Sequence, residues 1–179
     1  MKILNKQFIF ALAVLALSIT AVNAQSSSTD SRPLSTQIEK KLLYMPYYEV
    51  FDYISFDIKG DTVVLNGKVL NGPNKSLAEN IVKDLPGVDH VVNNIEILPG
   101  SSFDNSIRRS LLQTLTSRGL SRYVGSPNPS VRLVVDRGRI TLEGYVANSS
   151  DSDLMNILAN GVSGAFSVTN NLKIDKEKV

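Results

Sequence analysis

An α+β fold of two tandem αββαβ modules, each a three-stranded mixed sheet with two helices on one face, is predicted by three observations. First, the 179-residue chain repeats itself: at an offset of 77, Gly67, Gly87, Asn93 and Asn94 fall on Gly144, Gly164, Asn170 and Asn171, and "VVLNGKV" (63–69) falls on "ITLEGYV" (140–146). Second, apolar residues switch between helical and alternating spacing in the same order in both copies, the marks of amphipathic helix and half-buried strand. Third, a short Gly turn joins two alternating runs, as in "FDIKGDTVVL", which reads as a hairpin. Before residue 54 the offset is 69, with "IEKKLL" (38–43) on "IRRSLL" (107–112), so the second copy holds eight extra residues inside "SRGLSRYVGSPNPS". Self-similarity at one period marks a duplicated module.

The elements follow in order. Ile38, Leu42 and Met45, and in the second copy Ile107, Leu111 and Leu115, recur at helical spacing. Thr36 with Glu39 suits a capping box, and Asp104 suits the cap of the second copy. Two strands come next, with Ile54, Phe56 and Ile58, then Val63, Leu65, Gly67 and Val69, expected to face inward. The second helix presents Leu77, Ala78, Ile81, Val82 and Leu85, or Leu154, Met155, Leu158, Ala159 and Val162. Pro73 suits a first helical position; Asp151 and Asp153 suit a first turn. The last strand is expected to turn Val91, Ile95 and Ile97 inward, and Val168, Leu172 and Ile174 in the second copy. That places Asn93 and Asn170 on the inner side. A buried amide without partners costs about 1–3 kcal/mol, so both are expected to bond backbone near a turn and fix register. Gly67 and Gly144 also face inward, where a closely approaching helix is expected to leave no room for a side chain.

Outside the modules (34–99 and 104–175, joined by a linker over 100–103), residues 1–24 read as a secretory signal peptide. "MKILNK" is its basic start, "FIFALAVLAL" its apolar run, and "VNA" offers small residues before Gln25. Residues 25–33 read as a flexible N-terminus and 176–179 as a tail. Position 25 is not Cys and the chain has none, so a soluble periplasmic protein, not a lipoprotein, is expected, without disulfides or thiolate metal sites. The net charge is +2, and Lys2 and Lys6 would leave with the signal, so no global basic field for nucleic acid remains. Charge is nonetheless uneven: seven arginines face two acids between Asn105 and Ser149, a net +5.

The strings "GDTVVLNGKV" with "LPGVDHVVNNIEI", and "RGRITLEGYV" with "VSGAFSVTNNLKI", resemble the BON domain, found in tandem in bacterial periplasmic proteins linked to osmotic stress and outer-membrane integrity. The family pattern is a strand ending in Leu-x-Gly-x-Val, a helix, then Gly-Val-x-x-Val-x-Asn; Ala165 and Phe166 alter it slightly in the second copy. The resemblance covers nearly all of the chain after residue 33. It implies an αββαβ fold and a non-enzymatic binding role, with anionic phospholipid as the usual ligand.

No catalytic residues, cofactor or metal are expected. His90 is the only His, and its counterpart is Ser167; nucleophile elbows and phosphate-cradling Gly loops are absent. Arg108 and Arg109, expected on the polar side of a helix, with Arg118 and Arg122 in an extended connection, are the candidates for peripheral contact with an anionic membrane surface. Five aromatics crowd "YMPYYEVFDY". Tyr44, Tyr47 and Tyr48 are candidates for contact with envelope proteins, because Tyr joins an apolar body to a polar tip; the alternative is that this segment fills the gap between helix and sheet or the seam between modules, with Phe51 in the core. Nucleic acid is not expected as a partner. The αββαβ order is shared with RNA-binding KH modules, but export argues against that use.

Overall fold

The computed structural model describes residues 32–179; the expected signal peptide and residues 25–31 lie outside them. The first module runs α1 (Leu34–Leu43), β1 (Tyr53–Lys59), β2 (Thr62–Val69), α2 (Gly72–Lys83), β3 (His90–Ile97). The second runs α3 (Ser102–Leu115), α4 (Ser121–Val124), β4 (Val131–Asp136), β5 (Arg139–Val146), α5 (Ser149–Asn160), β6 (Ser167–Ile174). The sheets are ordered β1-β2-β3 and β4-β5-β6. In each, a hairpin gives an antiparallel pair and the helical crossover a parallel one. The two modules are therefore alike and α+β, as the repeat predicts.

Each module has its own core. Ile38 and Leu42 of α1 and Ala78 and Val82 of α2 close over Val63, Leu65, Val69 and Ile95. Ile107, Leu111 and Leu115 of α3 and Met155 and Ala159 of α5 do so over Leu133, Ile140, Leu142 and Val146. Full burial of one such side chain contributes about 1.5–3 kcal/mol. The inward sets thin out at the rim. Ile58, Ile97, Leu154 and Ile174 are exposed, so the expected inward sets are not covered throughout.

Local details correct several expectations. Helix α1 begins after Pro33 with no side-chain cap, so Thr36 and Glu39 form no capping box. Ser101, not Asp104, caps α3, its hydroxyl accepting from Asp104 N at 3.2 Å; α3 takes in Ser102 and Phe103 from the expected linker. The eight extra residues do not form an extended connection. They continue α3 through a kink at Arg118 and Gly119 (φ 81°) into α4, with Leu120 at the kink and Tyr123 of α4 buried in the core.

The inward glycines also have a different cause from the one expected. Gly67 has φ 142° and Gly144 φ 109°. A Cβ there would lie 2.0 Å from the carbonyl oxygen of Tyr53 or Ser130, on the neighbouring strand's side and not on a helix. The strand bends over its partner here, which only a residue without Cβ permits.

The recurring amides tie strand to helix. Asn93 donates to Lys75 O (2.9 Å) and Glu79 Oε2 (3.0 Å) on α2, while its Oδ1 accepts from Ile95 N (3.1 Å). Asn170 donates to Ser152 Oγ (3.0 Å) on α5 and accepts from Leu172 N (3.1 Å). Their partners are a helix's first turns and the strand itself, not a turn of the chain. Asn93 is half-buried and Asn170 exposed, so both sit at the edge of the core. The second Asn of each pair bridges across the open face, Asn94 to Asn66 (3.2 Å) and Asn171 to Glu143 (2.7 Å).

Both modules belong to one compact unit. Residues 48–51 form the seam. Val50 O accepts from Leu133 N at 2.7 Å, Glu49 O accepts from Arg132 Nη1 at 3.0 Å, and Val50 and Phe51 pack on the second module's core. Phe51 thus belongs to the seam, and Tyr48 to the first module's core. Lys68 bridges to Asp136 at 2.6 Å.

Two outcomes are expected. Gly144→Ala combines a forbidden backbone region with overpacking and should destabilise by at least about 2 kcal/mol, read as a lower urea midpoint; an unchanged midpoint would refute the steric account. For the seam, the bond to Lys68 holds the Asp136 carboxyl below its ordinary range, and that to Asp136 raises the Lys68 amine. The carboxylate's contribution is complete above its unfolded-state value, about 3.9, and is lost as pH falls through the depressed folded value; the amine's is lost only as pH rises through its raised one. The stability difference between wild type and Asp136→Asn should therefore be flat around neutrality and shrink in acid below about pH 4. A difference independent of acid pH would count against the bridge.

Candidate functional site

Two places combine polar chemistry with exposure or a cavity: the hairpin tip of the second module, and a cleft between the modules.

At the tip, β4 turns into β5 through Arg137 (φ 50°) and Gly138 (φ 75°). Positive φ at both central residues is the tight hairpin turn usually served by Asn-Gly or Asp-Gly. An arginine in that region is strained. The strain is held by Asp104, only 1 % exposed, whose carboxylate accepts from Arg137 N (2.9 Å) and Gly138 N (2.8 Å). Arg108 stands beside it on α3. It is buried, not on the polar side of the helix, and donates to Asn105 Oδ1 (2.7 Å) and to Val135 O. Burial lowers its pKa, and Asp104 acts in the opposite direction. Arg108 is therefore a support of the turn and not a surface group.

Above this support lie two phenylalanines. Phe103 from the first turn of α3 and Phe166 from the loop before β6 stack at 5.8 Å between ring centroids, and are 47 % and 75 % exposed. Gly138 and Gly164 lie under the rings; a Cβ on Gly138 would be 2.6 Å from Phe166. Arg137 and Arg139, both exposed, flank the pair. The matching end of the first module carries Gly60, Asp61, Thr62 and Asp89, so the apolar, basic tip is a property of one copy only.

The other expected candidates are dispersed. Arg109 is exposed and bonds Ser106 Oγ (3.2 Å). Arg118, exposed, lies at the kink, nine residues further on and so about 13 Å along a helix. Arg122 is ion-paired to Asp151 at 2.6 Å and bonds the hydroxyl of Tyr123 (3.1 Å). Tyr44 and Tyr47 are 69 % and 75 % exposed, whereas Tyr48 is buried, its hydroxyl accepting from Ile54 N at 2.9 Å. His90, exposed, begins β3. Sequence reasoning missed Phe103, Arg137, Arg139 and Phe166. The usable signals were Phe166 at a position where the first copy has Asp89, and an Arg-Gly pair where a hairpin turn prefers Asn or Asp.

In the cleft, Arg132 on β4 is 4 % exposed and lies over the Tyr48 ring at 4.3 Å. Burial lowers its pKa, against the pull of Tyr48 and Asp52. Asp52, also buried, accepts from Leu70 N (2.6 Å) and Glu49 N (3.0 Å); desolvation nevertheless raises its pKa. The cleft beside Arg132 has a volume of about 640 Å³ and runs between α1 and β1 of one module and residues 128–132, Tyr145 and Lys173 of the other. Among the described residues no group of His, Asp and Glu is arranged to hold a metal ion, and no helix is long and apolar enough to cross a membrane.

Comparison with known proteins gives one family. The model for the BON domain matches twice, over residues 30–99 and 104–176. A search of curated proteins returned no match. Two solved structures of CdsD, a structural protein of the type III secretion system of Chlamydia trachomatis, are similar to this chain. One, described as the C-terminal domain, is 15 % identical, with a TM-score of 0.31, and the match covers 82 % of this chain and 99 % of that one. The other is 16 % identical, with a TM-score of 0.30, over 80 % and 94 %. At these scores the likeness carries no argument about function.

The support beneath the tip makes a direct prediction. Asp104→Ala leaves two turn amides without their acceptor and removes the through-space pull on the buried Arg108 guanidinium, and should cost about 2–4 kcal/mol. The urea midpoint should fall accordingly and the Arg137 and Gly138 amides should exchange faster with solvent. Unchanged exchange would mean that the turn holds itself.

Proposed function

This chain belongs to the BON-domain family in both of its modules, and we propose on that premise that it is a non-enzymatic periplasmic protein that associates peripherally with anionic phospholipid through the tip of its second module. One observation carries the reading: a stacked, exposed Phe103–Phe166 pair flanked by Arg137 and Arg139. Peripheral membrane binding is the sum of inserted apolar area and attraction to anionic headgroups. The tip offers both on a rigid base, since the rings rest on glycines and the turn on Asp104. Of the two acids at the turn, Asp104 is buried on the turn amides and Asp136 is paired with Lys68, so neither presents a free carboxylate to the surface the lipid would meet. Attachment of phospholipid to the family favours the same ligand. In such a protein the function would be envelope maintenance or protection under stress.

A second reading keeps Tyr44 and Tyr47, both largely exposed on the first module, as the contact of a protein-binding adaptor. The two are separable, because the aromatic groups sit on different modules.

The test is flotation of the mature chain with phosphatidylglycerol-containing and with neutral vesicles, at low and high salt. Binding should need the anionic lipid and weaken with salt. Arg137→Gly removes one charge and relieves the turn, so affinity should fall about 5-fold, the equivalent of about 1 kcal/mol per charge, while the urea midpoint stays or rises. Phe166→Ser should weaken binding further. Equal recovery with both vesicles, or full binding by the Arg137→Gly/Phe166→Ser variant, overturns the reading. A pull-down from envelope extract that depends on Tyr47 and not on the tip would favour the adaptor.

A further inference from the structure

The inter-module cleft contains a buried charge that makes no direct ion pair among the described residues. Arg132 is withdrawn from water on an open-face position of β4, where the sequence alternation would put it in solvent. Its Nη1 has Glu49 O and its face has Tyr48, both neutral groups. No carboxylate among the described residues forms an ion pair with it; Asp52 acts only through space and has its oxygens on two backbone amides. Nη2 of Arg132 has no hydrogen-bond partner, and neither does Oγ of Ser130, two residues away along the same wall. A buried cation is retained when it is paired and hydrogen-bonded, and is expensive otherwise. Ser130 and Arg132 both line a 640 Å³ cleft, and an acceptor entering it can satisfy both buried donors.

We propose that this cleft binds a small molecule bearing an oxyanion, a phosphate or a carboxylate, with the oxyanion taken by Arg132 Nη2 and Ser130 Oγ. A planar guanidinium with a free edge suits either group. Lys173 at the cleft wall adds attraction, and Tyr53, Tyr145 and Phe56 offer ring faces for the body of the ligand. The volume lies in the range of sites for small ligands. Both orphaned atoms are shielded from solvent, so binding includes a turn of the guanidinium, which one hydrogen bond to the main chain holds. This site stands on both modules and is independent of the tip.

The experiment is an NMR titration of the mature chain, following Arg132 Nε and the amides of Ser130, Gly144 and Tyr145. The probes are inorganic phosphate, glycerol 3-phosphate, acetate, and phosphatidylglycerol vesicles, each against chloride at equal ionic strength. Saturable shifts of the cleft signals are expected with at least one oxyanion, unchanged in Phe166→Ser, and weakened at least 5-fold in Ser130→Ala and in Lys173→Gln. Arg132→Lys, if it folds, should lose binding at least 10-fold. Shifts with soluble probes identify a free ligand as the source. Shifts with vesicles alone that survive Phe166→Ser identify a lipid headgroup. Cleft signals that no probe moves, that move equally in both Ser130→Ala and Lys173→Gln, or that move with vesicles alone and only while the tip is intact, overturn the proposal. The last outcome would leave the membrane reading standing.

Discussion

Strand β4 lies at the edge of its sheet, and the amides on its outer side have no strand to pair with. Unpaired edges invite association with other chains, and a small module with no disulfide has little stability to spare. Here the first module supplies the cover: Val50 O takes the Leu133 amide, Glu49 O takes Arg132, and Phe51 closes against the core beneath. The effect is visible along the strand. Five consecutive residues of β4 are buried on both faces, whereas β1, its repeat counterpart, is open from Asp57 onward. That one contact places Arg132 out of water and brings Lys68 to Asp136. It also creates the cleft, which exists only because two sheets of one chain meet there.

The same module repeated gives two different ends. In the first copy the hairpin turn uses Gly60 at φ 66° followed by Asp61, ordinary turn chemistry. In the second, Arg137 takes the strained position, with Asp104 and Arg108 buried beneath it as its support. Natural chains keep backbone strain where the surrounding structure holds it in place, often at sites of use. An Arg displayed by such a turn, beside two rings that burial has not claimed, is consistent with selection for a surface that meets something. Arg108 is the instructive case. It belongs to the +5 segment that the sequence marks out, yet its role is to hold the backbone that presents other arginines.

The fold was legible because duplication doubles every signal. Periodicity, the Gly turns and the Asn pairs each occur twice at one spacing, and the element order follows. What the sequence could not carry was anything that depends on the difference between the copies. Periodicity puts Asn93 and Asn170 on the right face, but their partners on α2 and α5 depend on how the helix crosses the strand, which periodicity does not encode. Gly67 and Gly144 were recognised as sterically required, but the obstacle is the neighbouring strand's carbonyl, a result of a local bend. Arg108 departs from its expected place for a similar reason: at helical spacing it borders the apolar face, and Asn105 Oδ1, Val135 O and the nearby Asp104 carboxylate make its burial tolerable. The tip joins residues 103, 137–139 and 166, far apart in sequence and drawn from a helix, a hairpin turn and a loop, so no local window holds it.

The two candidate sites depend on the duplication in different ways, and this bears on why the chain is a tandem. The tip is built from α3, the β4–β5 turn and the loop before β6, all of one module. The cleft needs α1 and β1 of one copy facing β4 and β6 of the other, so a lone module has half of it. Arg132 makes the dependence physical. With the first module absent its guanidinium would stand in water on an open sheet face, fully hydrated and with no need of a counter-anion. Docking removes that water and returns a carbonyl, a ring face and the through-space pull of Asp52, with no direct ion pair. The seam therefore gives up part of its own stability to hold a charge incompletely compensated, and it keeps the hydrogen-bonding edge of that charge beside a cavity. A tandem selected for cohesion alone would have an apolar residue at this position, since replacing a buried charge by a well-packed apolar side chain is commonly neutral or stabilising. The retained arginine is the reason to regard the seam as a binding element as well as a joint.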